Sequence, residues 1–496
     1  MAHALMRLAA TSRTQRLLIS IAALIALRFV AGAVLPLSSD EAYYWLWSKH
    51  LATGYFDHPP AIAFCIRAGT FLFGDTSLGV RLVPLLLSIV ASWFVWRAGA
   101  IVLAGEEGGL LACLLFNLTL MIAVETTAAT PDAPAIAAAS GFLFGLAKLD
   151  ETQDGRWWLG VGLAAGLGLL SKYTAFFLGL GALAWLAFTP RGRVWLLSPW
   201  PYLGALLAII VFAPNLWWNA THDWRTFAFQ FGRIGARQFT LRYIGEFLGA
   251  QLMLASPFIF VLAALGLIRA TRAGERASLL AAIIWPSVVY FFWHALHDRV
   301  QGNWPCFLYP ALAIAAAIAM RRTDWTAGLS ALARASGLLC IPVAVVLLLG
   351  VYAQALFGVV AMGRKDPLAR LLAVGFPAVA QKVEAARVAA HAGAILTSDY
   401  ASTAWLSFYT PQRPTVVQVN EEYRFLGAPR PSDALFRKPL LYVAEARWDR
   451  HDLLSAHFRV VAPIARIERQ RGGVAIAHYV IYRVDGLRGQ AFGRIP

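Results

Sequence analysis

Two adjacent carboxylates stand directly after the first long apolar segment of the chain. Asp40 and Glu41 open the stretch "DEAYYWLW", in which tyrosine and tryptophan follow at once. Aromatic side chains of this kind collect at membrane–water interfaces. A carboxylate in such a half-dry place can have its pKa tuned and can act as a base on a hydroxyl or an amine. The simpler alternative is an exposed acidic pair at the level of the lipid headgroups, with no part in catalysis.

Three cationic or titratable side chains are candidates to bind a phosphate. His58 lies in "YFDHPP", where the two prolines also suit a plain turn. Arg81 lies just inside an apolar segment, so its guanidinium must find a partner there or extend to the membrane surface. Lys172 stands between two short apolar segments in "LLSKYTAFF" and is otherwise an ordinary loop lysine.

Other acids and bases follow in later polar segments. Glu125 and Asp132 lie in "VETTAATPDAP", whose prolines fix a turn, and His297 and Arg299 lie in "HDRVQGNWP". The histidines lack a compact metal-ligand spacing, so no metal site is predicted, although a need for a divalent ion is left open. The chain has neither a P-loop nor a dinucleotide-binding glycine pattern, so no cofactor is predicted.

The composition shows what must position these residues. The chain has 496 residues, of which 59% are hydrophobic and 14% charged, whereas soluble domains carry about 25% charged residues. Apolar runs of roughly 18 residues or more are long enough to cross a membrane. The pattern predicts a polytopic α-helical membrane protein with about 11–13 transmembrane helices. The segments that support this number lie near 17–36, 79–103, 109–124, 133–148, 157–170, 174–188, 200–214, 247–268, 278–296, 305–320 and 335–358.

The charge of the chain also bears on its partners and its orientation. The formal net charge is +16, but the basic residues lie in short loops and in the C-terminal part, which does not indicate nucleic acid binding. Basic loops such as "TPRGR" favour a cytoplasmic N-terminus and contact with membrane lipids. This threading places the candidate residues on the outer face of the membrane, with the C-terminal domain on the same side.

The composition changes near residue 361. Short β-branched stretches such as "AILTSDY", "TVVQV", "PLLYVAEA", "FRVVAPIARI" and "VAIAHYVIYRV" alternate with helix-like pieces such as "YASTAWLSFYT" and "HDLLSAHF". This alternation predicts a soluble α/β domain. We therefore expect a transmembrane catalytic domain over 1–360 and a soluble domain over 361–496.

Taken together, the motifs resemble those of GT-C type membrane glycosyltransferases, and most closely bacterial members of glycosyltransferase family 39. That group is similar to protein O-mannosyltransferases and to the lipid A aminoarabinose transferase. The resemblance is carried by "DEAYYW", "YFDHPP", "GVRL", "TPDAP", "LSKYT" and, later, "NWPCFLYPALAI". It implies a GT-C fold for the membrane domain. Together with the threading, it implies a bacterial inner membrane with the candidate residues and the C-terminal domain on the periplasmic side.

The resemblance also implies roles for single residues. Asp40 matches the first-loop aspartate that is proposed to activate the acceptor, with Glu41 beside it. Asp132 stands where a second-loop acid is expected, and Lys172 matches a lysine near the donor phosphate.

Two positions depart from the aminoarabinose transferase. Tyr43 stands where that enzyme has an arginine, and His58 where it has a lysine before proline. The predicted site consists of the catalytic acids Asp40, Glu41 and Asp132, the phosphate ligands Lys172, Arg81 and His58, and the further candidates Tyr43, Tyr44, Asp57, Glu125, His297 and Arg299.

The expected reaction is an inverting transfer of a sugar from a polyprenyl-phosphate donor. The acceptor stays open between lipid A or lipopolysaccharide, another glycolipid and a protein hydroxyl, and the sugar is open too. The alternatives are a flippase for a polyprenyl-linked glycan and a polysaccharide polymerase or ligase. Candidate residues that gather on one face, in a chain without repeated halves, favour the enzyme over a transporter.

Overall fold

The computed structural model describes residues 2–232, 239–272, 276–321, 326–425 and 427–489. The chain divides into two compact units, each built from separate stretches of sequence. The helical unit comprises Met1–Gly32, His58–Ile62 and Arg81–Val351. The mixed unit comprises Ala33–Asp57, Ala63–Val80 and Tyr352–Pro496.

Helices account for most of the described chain up to residue 357. They are α1 (Ala2–Val34), α2 (Ser39–Lys49), α3 (Ala61–Phe73), α4 (Ser77–Val102), α5 (Glu106–Leu118), α6 (Leu120–Glu125), α7 (Asp132–Thr152), α8 (Trp157–Ser171), α9 (Phe176–Phe188), α10 (Pro190–Arg193), α11 (Trp200–Thr221), α12 (Arg225–Gly232), α13 (Arg242–Leu254), α14 (Pro257–Arg272), α15 (Ser278–Ala295), α16 (Tyr309–Arg321) and α17 (Ala327–Phe357). Short 3-10 turns at Tyr173–Ala175 and Trp304–Leu308 precede α9 and α16.

Fewer helices are long enough to cross a membrane than the sequence predicted. In the described ranges, 7 helices have the necessary length and apolar character, or up to 8 if one bent pair counts as a span. The predicted segments 157–170 and 174–188 form helices of 15 and 13 residues, shorter than the roughly 20 residues that cross the hydrocarbon. The predicted segment 109–124 is interrupted at Thr119, whose backbone is extended.

The bent pair replaces one predicted straight span, 247–268. Helices α13 and α14 meet at an angle of 105°. Ser256 lies in the break with a φ of 67°, in the left-handed region that interrupts a right-handed helix. The following residue, Pro257, begins α14, and proline is well suited to the first turn of a helix. The predicted continuous span is therefore wrong at this point.

Small residues let the helices of the helical unit approach closely. A Cβ added to Gly266 of α14 would lie 1.8 Å from the carbonyl oxygen of Ala315 in α16. A Cβ on Gly162 of α8 would lie 2.0 Å from the carbonyl oxygen of Gly204 in α11. Close backbone contact of this kind is how helices pack where apolar lipid removes the hydrophobic driving force. Larger residues at these positions would push the helices apart.

The C-terminal part of the mixed unit is an α/β domain, as the sequence predicted. Its elements are α18 (Pro367–Leu371), α19 (Phe376–Ala389), β1 (Ile395–Thr397), α20 (Tyr400–Tyr409), β2 (Val416–Gln418), α21 (Asp433–Phe436), β3 (Leu440–Glu445), α22 (His451–Ser455), β4 (Phe458–Arg471) and β5 (Val474–Leu487). In the described part of the chain, the sheet has the order β2-β1-β3-β5-β4. Strand β1 pairs in parallel with β2 and β3, and β5 pairs antiparallel with β3 and β4.

The mixed unit also contains helix α2 and the turn between α3 and α4. Helix α2 packs against α20, and the backbone N–H of Leu37 donates to the hydroxyl of Tyr409 at 2.7 Å. Ser38 forms an isolated antiparallel bridge with Leu372. The segment that carries the first acidic pair is thus anchored to residues more than 330 positions later in the chain. The predicted boundary between residues 360 and 361 remains a prediction, and its last residues, 490–496, lie outside the described ranges.

Candidate active site

Glu41 of the acidic pair closes the first turn of α2. The N–H of Ser38 donates to Glu41 Oε2 at 2.8 Å, and the N–H of Glu41 donates to Ser38 Oγ at 3.2 Å. This reciprocal pair is a capping box, which satisfies two helix N–H groups that would otherwise lack partners. The Glu41 side chain is buried. Its geometry accounts for a structural role, and its catalytic role remains a prediction.

Asp40 is the more exposed member of the pair. It is half-buried, and its Oδ1 accepts a hydrogen bond from the hydroxyl of Tyr400 at 3.0 Å. In the ranges that the structure describes, its Oδ2 accepts no hydrogen bond. Burial is the largest influence on the pKa of Asp40 and raises it, and the nearby charges of Asp57 and Glu41 raise it further against the opposing effects of Tyr400 and Arg424. A carboxylate with a raised pKa and one open oxygen is a competent proton acceptor.

A second acid, Asp57, is held beside this site by an ion pair. Its Oδ1 lies 2.6 Å from Nη1 of Arg424, and its Oδ2 accepts a hydrogen bond from the hydroxyl of Tyr43 at 2.7 Å. Arg424 also pairs with Glu421 at 3.2 Å. Burial opposes the charge of Arg424, but Asp57 and Glu421 outweigh it and raise the pKa of Arg424, so this side chain remains a cation.

The acids, Tyr43 and Arg424 form one connected network in the mixed unit. Glu421 accepts a hydrogen bond from the backbone N–H of Tyr400 at 2.9 Å, and the guanidinium of Arg424 lies 5.0 Å from the centre of the Tyr400 ring. The network therefore links Asp40 to Asp57 through Tyr400 and Arg424. Polar groups linked in this way hold one another in fixed positions.

Sequence reasoning found one half of this network and missed the other. Asp40, Tyr43 and Asp57 were candidates because they share a polar stretch. Tyr400 and Arg424 lie far away in "SDYAS" and "EEYRF". The only local signal was that "EEYRF" places an arginine and an aromatic pair beside two acids in the soluble domain. Tyr44, the remaining candidate of this stretch, is buried and packs its ring against those of Tyr43 and Trp47.

A carboxylate in the turn before α4 fixes α2 from another side. Asp75 accepts hydrogen bonds from Trp45 Nε1 at 2.7 Å and from Lys49 Nζ at 2.6 Å, and it forms an ion pair with Arg413. Burial opposes its ionisation, but these donors together lower the pKa of Asp75. Two residues of α2 are thus tied to the carboxylate of Asp75, which helps to hold Asp40 in place at the start of the same helix.

The helical unit contains a separate cluster around Asp132. Nζ of Lys172 lies 2.6 Å from Asp132 Oδ1, and both side chains are less than a tenth exposed. Asn303 donates to Asp132 Oδ2 at 3.1 Å, and the thiol of Cys306 donates to Asp132 Oδ1 at 2.9 Å. Lys172 follows α8 with extended backbone, while Asp132 begins α7. The ion pair therefore joins the C-terminal end of α8 to the N-terminal end of α7.

This pairing bears on the predicted phosphate role of Lys172. Asp132 already balances its charge, and breaking a buried ion pair by removing one partner costs about 3–5 kcal/mol. A donor phosphate would have to share Lys172 with Asp132 or displace it. Asn303 and Cys306 were not among the predicted site residues, although "NWPCFLYPALAI" was part of the resemblance.

The remaining candidates of the helical unit have other neighbours. Arg81 is buried and donates to the carbonyl oxygen of Gly32 at 3.0 Å, so its guanidinium does not extend to the surface. Glu125 accepts a hydrogen bond from Thr130 at 3.3 Å.

The last three candidates lie in less buried places. His58 is half-buried. Nδ1 of His297 lies 2.9 Å from the carbonyl oxygen of Trp293, and Nε of Arg299 lies 3.0 Å from Glu246. The phosphate and site roles of all these residues remain predictions. Among the described residues, no group of three or more His, Cys, Asp and Glu side chains is arranged to hold a metal ion.

The fold defines the class of protein. Several membrane-crossing helices with a C-terminal α/β domain make this a multi-pass membrane protein. It shares its fold with the crystal structure of ArnT from Cupriavidus metallidurans, at a TM-score of 0.64 and 16% identity over 95% of this chain and 98% of that one. The match to ArnT bound to undecaprenyl phosphate has a TM-score of 0.63. The predicted GT-C fold with a soluble domain is confirmed.

Sequence comparisons give the particular relatives. Residues 57–218 match the family model described as dolichyl-phosphate-mannose-protein mannosyltransferase. The lipid A galacturonosyltransferase RgtD of Rhizobium johnstonii is 28% identical over 58% of this chain and 62% of its own length. The lipopolysaccharide core galacturonosyltransferase RgtA of the same organism is 31% identical over 42% of each. The chain spans less than two thirds of these relatives. These matches confirm the resemblance that the motifs predicted.

Proposed function

We propose that this protein is a membrane glycosyltransferase that moves a sugar from a polyprenyl-phosphate donor to a glycolipid of the lipid A or lipopolysaccharide type. The shared fold supports a reaction of this class, since the matching crystal structure holds undecaprenyl phosphate. The names of two relatives support a lipid A or lipopolysaccharide acceptor and a galacturonosyl group as the first sugar to test. In this proposal the reaction takes place at the outer face of a bacterial inner membrane.

The observation that supports the proposal most directly is the environment of the Asp40 carboxylate. Its pKa is raised, one of its oxygens is oriented by Tyr400, and the other accepts no hydrogen bond from any residue that the structure describes. A base of this kind takes the proton of the acceptor hydroxyl as the hydroxyl oxygen bonds to the anomeric carbon. The bond between that carbon and the phosphate oxygen breaks in the same step, and polyprenyl phosphate leaves. A single displacement inverts the anomeric carbon.

The test is transfer from polyprenyl-phosphate galacturonic acid to lipid A by the purified protein in detergent. Asp40→Asn should lower the rate by about a hundredfold or more, which is the usual contribution of a positioned general base. Asp433→Asn, at an exposed residue that begins α21, is the matched control and should keep the wild-type rate. A rate for Asp40→Asn close to that of the control would remove Asp40 from the reaction.

The product separates this proposal from its alternatives. A transferase releases one polyprenyl phosphate for each sugar that reaches lipid A, whereas a flippase leaves the donor intact. Absence of polyprenyl phosphate release with every donor sugar and glycolipid tested would contradict the proposal. Transfer to a protein hydroxyl instead of lipid A would keep the reaction and replace the acceptor.

A further inference from the structure

A basic cavity lies in the helical unit, away from both clusters described above. Its volume is about 550 Å³, and its polar lining includes four arginines, Arg191, Arg269, Arg276 and Arg321. No carboxylate is among its lining residues in the described part of the chain. Four guanidiniums around one open space attract an anion, because like charges held close together repel and an opposite charge between them lowers that repulsion. The cavity therefore favours an anionic ligand.

The contacts of three of these arginines show how they are held. Nε of Arg191 lies 2.5 Å from Asp150 Oδ1, and Nε of Arg276 lies 3.6 Å from Asp150 Oδ2. Nη1 of Arg321 donates to the carbonyl oxygen of Leu103 at 3.2 Å. One buried carboxylate thus orients two of the guanidiniums behind the cavity. The side chains of Arg191 and Arg276 remain more than a third exposed, so a ligand can reach them.

Two helices, α7 and α16, run between the Asp132 cluster and the cavity. The cluster lies at one end of these helices and the cavity at the other. Helix α7 begins at Asp132 and carries Asp150 near its end, a separation of about 27 Å at 1.5 Å per residue. Helix α16 follows the turn that holds Cys306 and ends at Arg321. Helix α7 and the segment Trp304–Arg321, which joins the 3-10 turn to α16, are both long enough to cross a membrane. We therefore expect the cavity at the headgroup level of the leaflet opposite the Asp132 cluster.

The rest of the lining is apolar and narrows the class of ligand. It includes Ile101, Val102, Leu103 and Ile318. A free phosphate ion gains nothing from such side chains, whereas a lipid phosphate brings an acyl or prenyl chain that covers them. Basic pockets between membrane helices are suited to anionic lipid headgroups, and guanidiniums bind phosphate oxygens in a bidentate fashion.

We propose that this cavity binds the phosphate of an anionic membrane lipid, a phospholipid such as phosphatidylglycerol or a polyprenyl phosphate. The proposal concerns a second lipid site and does not depend on the transfer reaction.

Native mass spectrometry of the full chain in detergent, titrated with phosphatidylglycerol, tests the binding. The variant R269Q/R321Q leaves Arg191 and Arg276 in place as partners of Asp150, and it should weaken binding about tenfold or more. The matched control is R13Q/R156Q, which removes the same charge from two exposed arginines that pair with Glu107 and Asp154 and do not line the cavity. The control should bind lipid as the wild type does.

Further titrations identify the source of the phosphate. The affinities of the wild type for undecaprenyl phosphate and for phosphatidylglycerol are compared, and the lipid that binds more tightly is identified as the ligand. Loss of this binding in R269Q/R321Q supports the proposal. Equal binding by wild type and R269Q/R321Q, equal weakening by the control, or competition by millimolar inorganic phosphate each overturns it. If R269Q/R321Q does not fold, R321Q alone is measured against R156Q, and unchanged binding overturns the proposal.

Discussion

At the scale of single residues, the Asp40 carboxylate is balanced between opposing influences. Burial and two neighbouring acids raise its pKa, and the hydrogen bond from Tyr400 lowers it. A base must be ionised to accept a proton, so transfer should increase with pH as Asp40 loses its own proton. An ordinary carboxylate has a pKa of about 4. The acid limb of the kcat/KM profile should therefore lie at a pH above this value.

Tyr400→Phe should move this acid limb to higher pH. The lost hydroxyl stabilised the ionised form of Asp40, so its absence raises the pKa of Asp40 further. Below the new pKa the variant loses activity that the wild type keeps, and at high pH the two should converge. The measurement is kcat/KM for transfer from about pH 4 to 9, a range that brackets the ordinary and raised carboxylate values.

The control for this prediction is another tyrosine of the mixed unit. The hydroxyl of Tyr482 donates to Asp449 Oδ2 at 2.8 Å, so Tyr482→Phe removes the same kind of bond at a place outside the Asp40 network. Its pH profile should match that of the wild type. A Tyr400→Phe profile that falls equally at all pH values would mean that Tyr400 acts on something other than the ionisation of Asp40.

At the scale of elements, helix α2 depends on its capping box. Glutamine can replace glutamate in this motif, whereas alanine cannot. If Glu41 serves the helix alone, Glu41→Gln should keep most of the transfer activity and Glu41→Ala should lose stability, by about 1 kcal/mol as for other capping losses. Thermal unfolding in detergent and transfer rate, measured on both variants, check this. Loss of activity in a stable Glu41→Gln protein would restore the predicted catalytic role of its charge.

The helices and strands also show which features of the fold can be predicted from the sequence. The five strands of the described sheet were predictable because each lies in a stretch of apolar and β-branched residues next to turn residues, although β4 and β5, at 14 residues each, are longer than the predicted stretches. The capping box was equally predictable, because Ser38 is followed three positions later by Glu41, but it was not among the predictions. The bend at Ser256 was not predictable, since apolar residues on both sides of it read as one span. Hydropathy indicates that a segment lies in an apolar environment, but it does not indicate where the helix axis changes direction.

Half of the residues of the candidate site could not be predicted from a single sequence. Asp40, Tyr43 and Asp57 stand within one stretch, so their residue types and spacing identified them. Tyr400 and Arg424 become neighbours of that stretch only through the fold, and nothing local marks a contact over 360 positions. The pairing of Lys172 with Asp132, 40 positions apart, was missed for the same reason.

At the scale of the whole molecule, the orientation in the membrane remains a prediction that labelling can test. Ser432 is exposed at the start of α21, and Asp154 lies in the turn after α7, at the end far from Asp132. With the N-terminus in the cytoplasm, a cysteine at Ser432 should react with an impermeant maleimide in intact spheroplasts. A cysteine at Asp154 should react only after permeabilisation. The reverse pattern would invert the predicted topology.

The distance along the chain between Asp40 and its partner has a consequence for biosynthesis. Tyr400 is made 360 residues after Asp40, and Arg424 is made 367 residues after Asp57. At about 5–20 residues per second, a ribosome needs roughly 20–70 s to cover that interval. During this time the early helices can already enter the membrane while both acids lack the groups that orient them. A nascent chain that has not yet reached Arg424 therefore carries the acids without the assembled network, and it should have no transfer activity if Asp40 is the base.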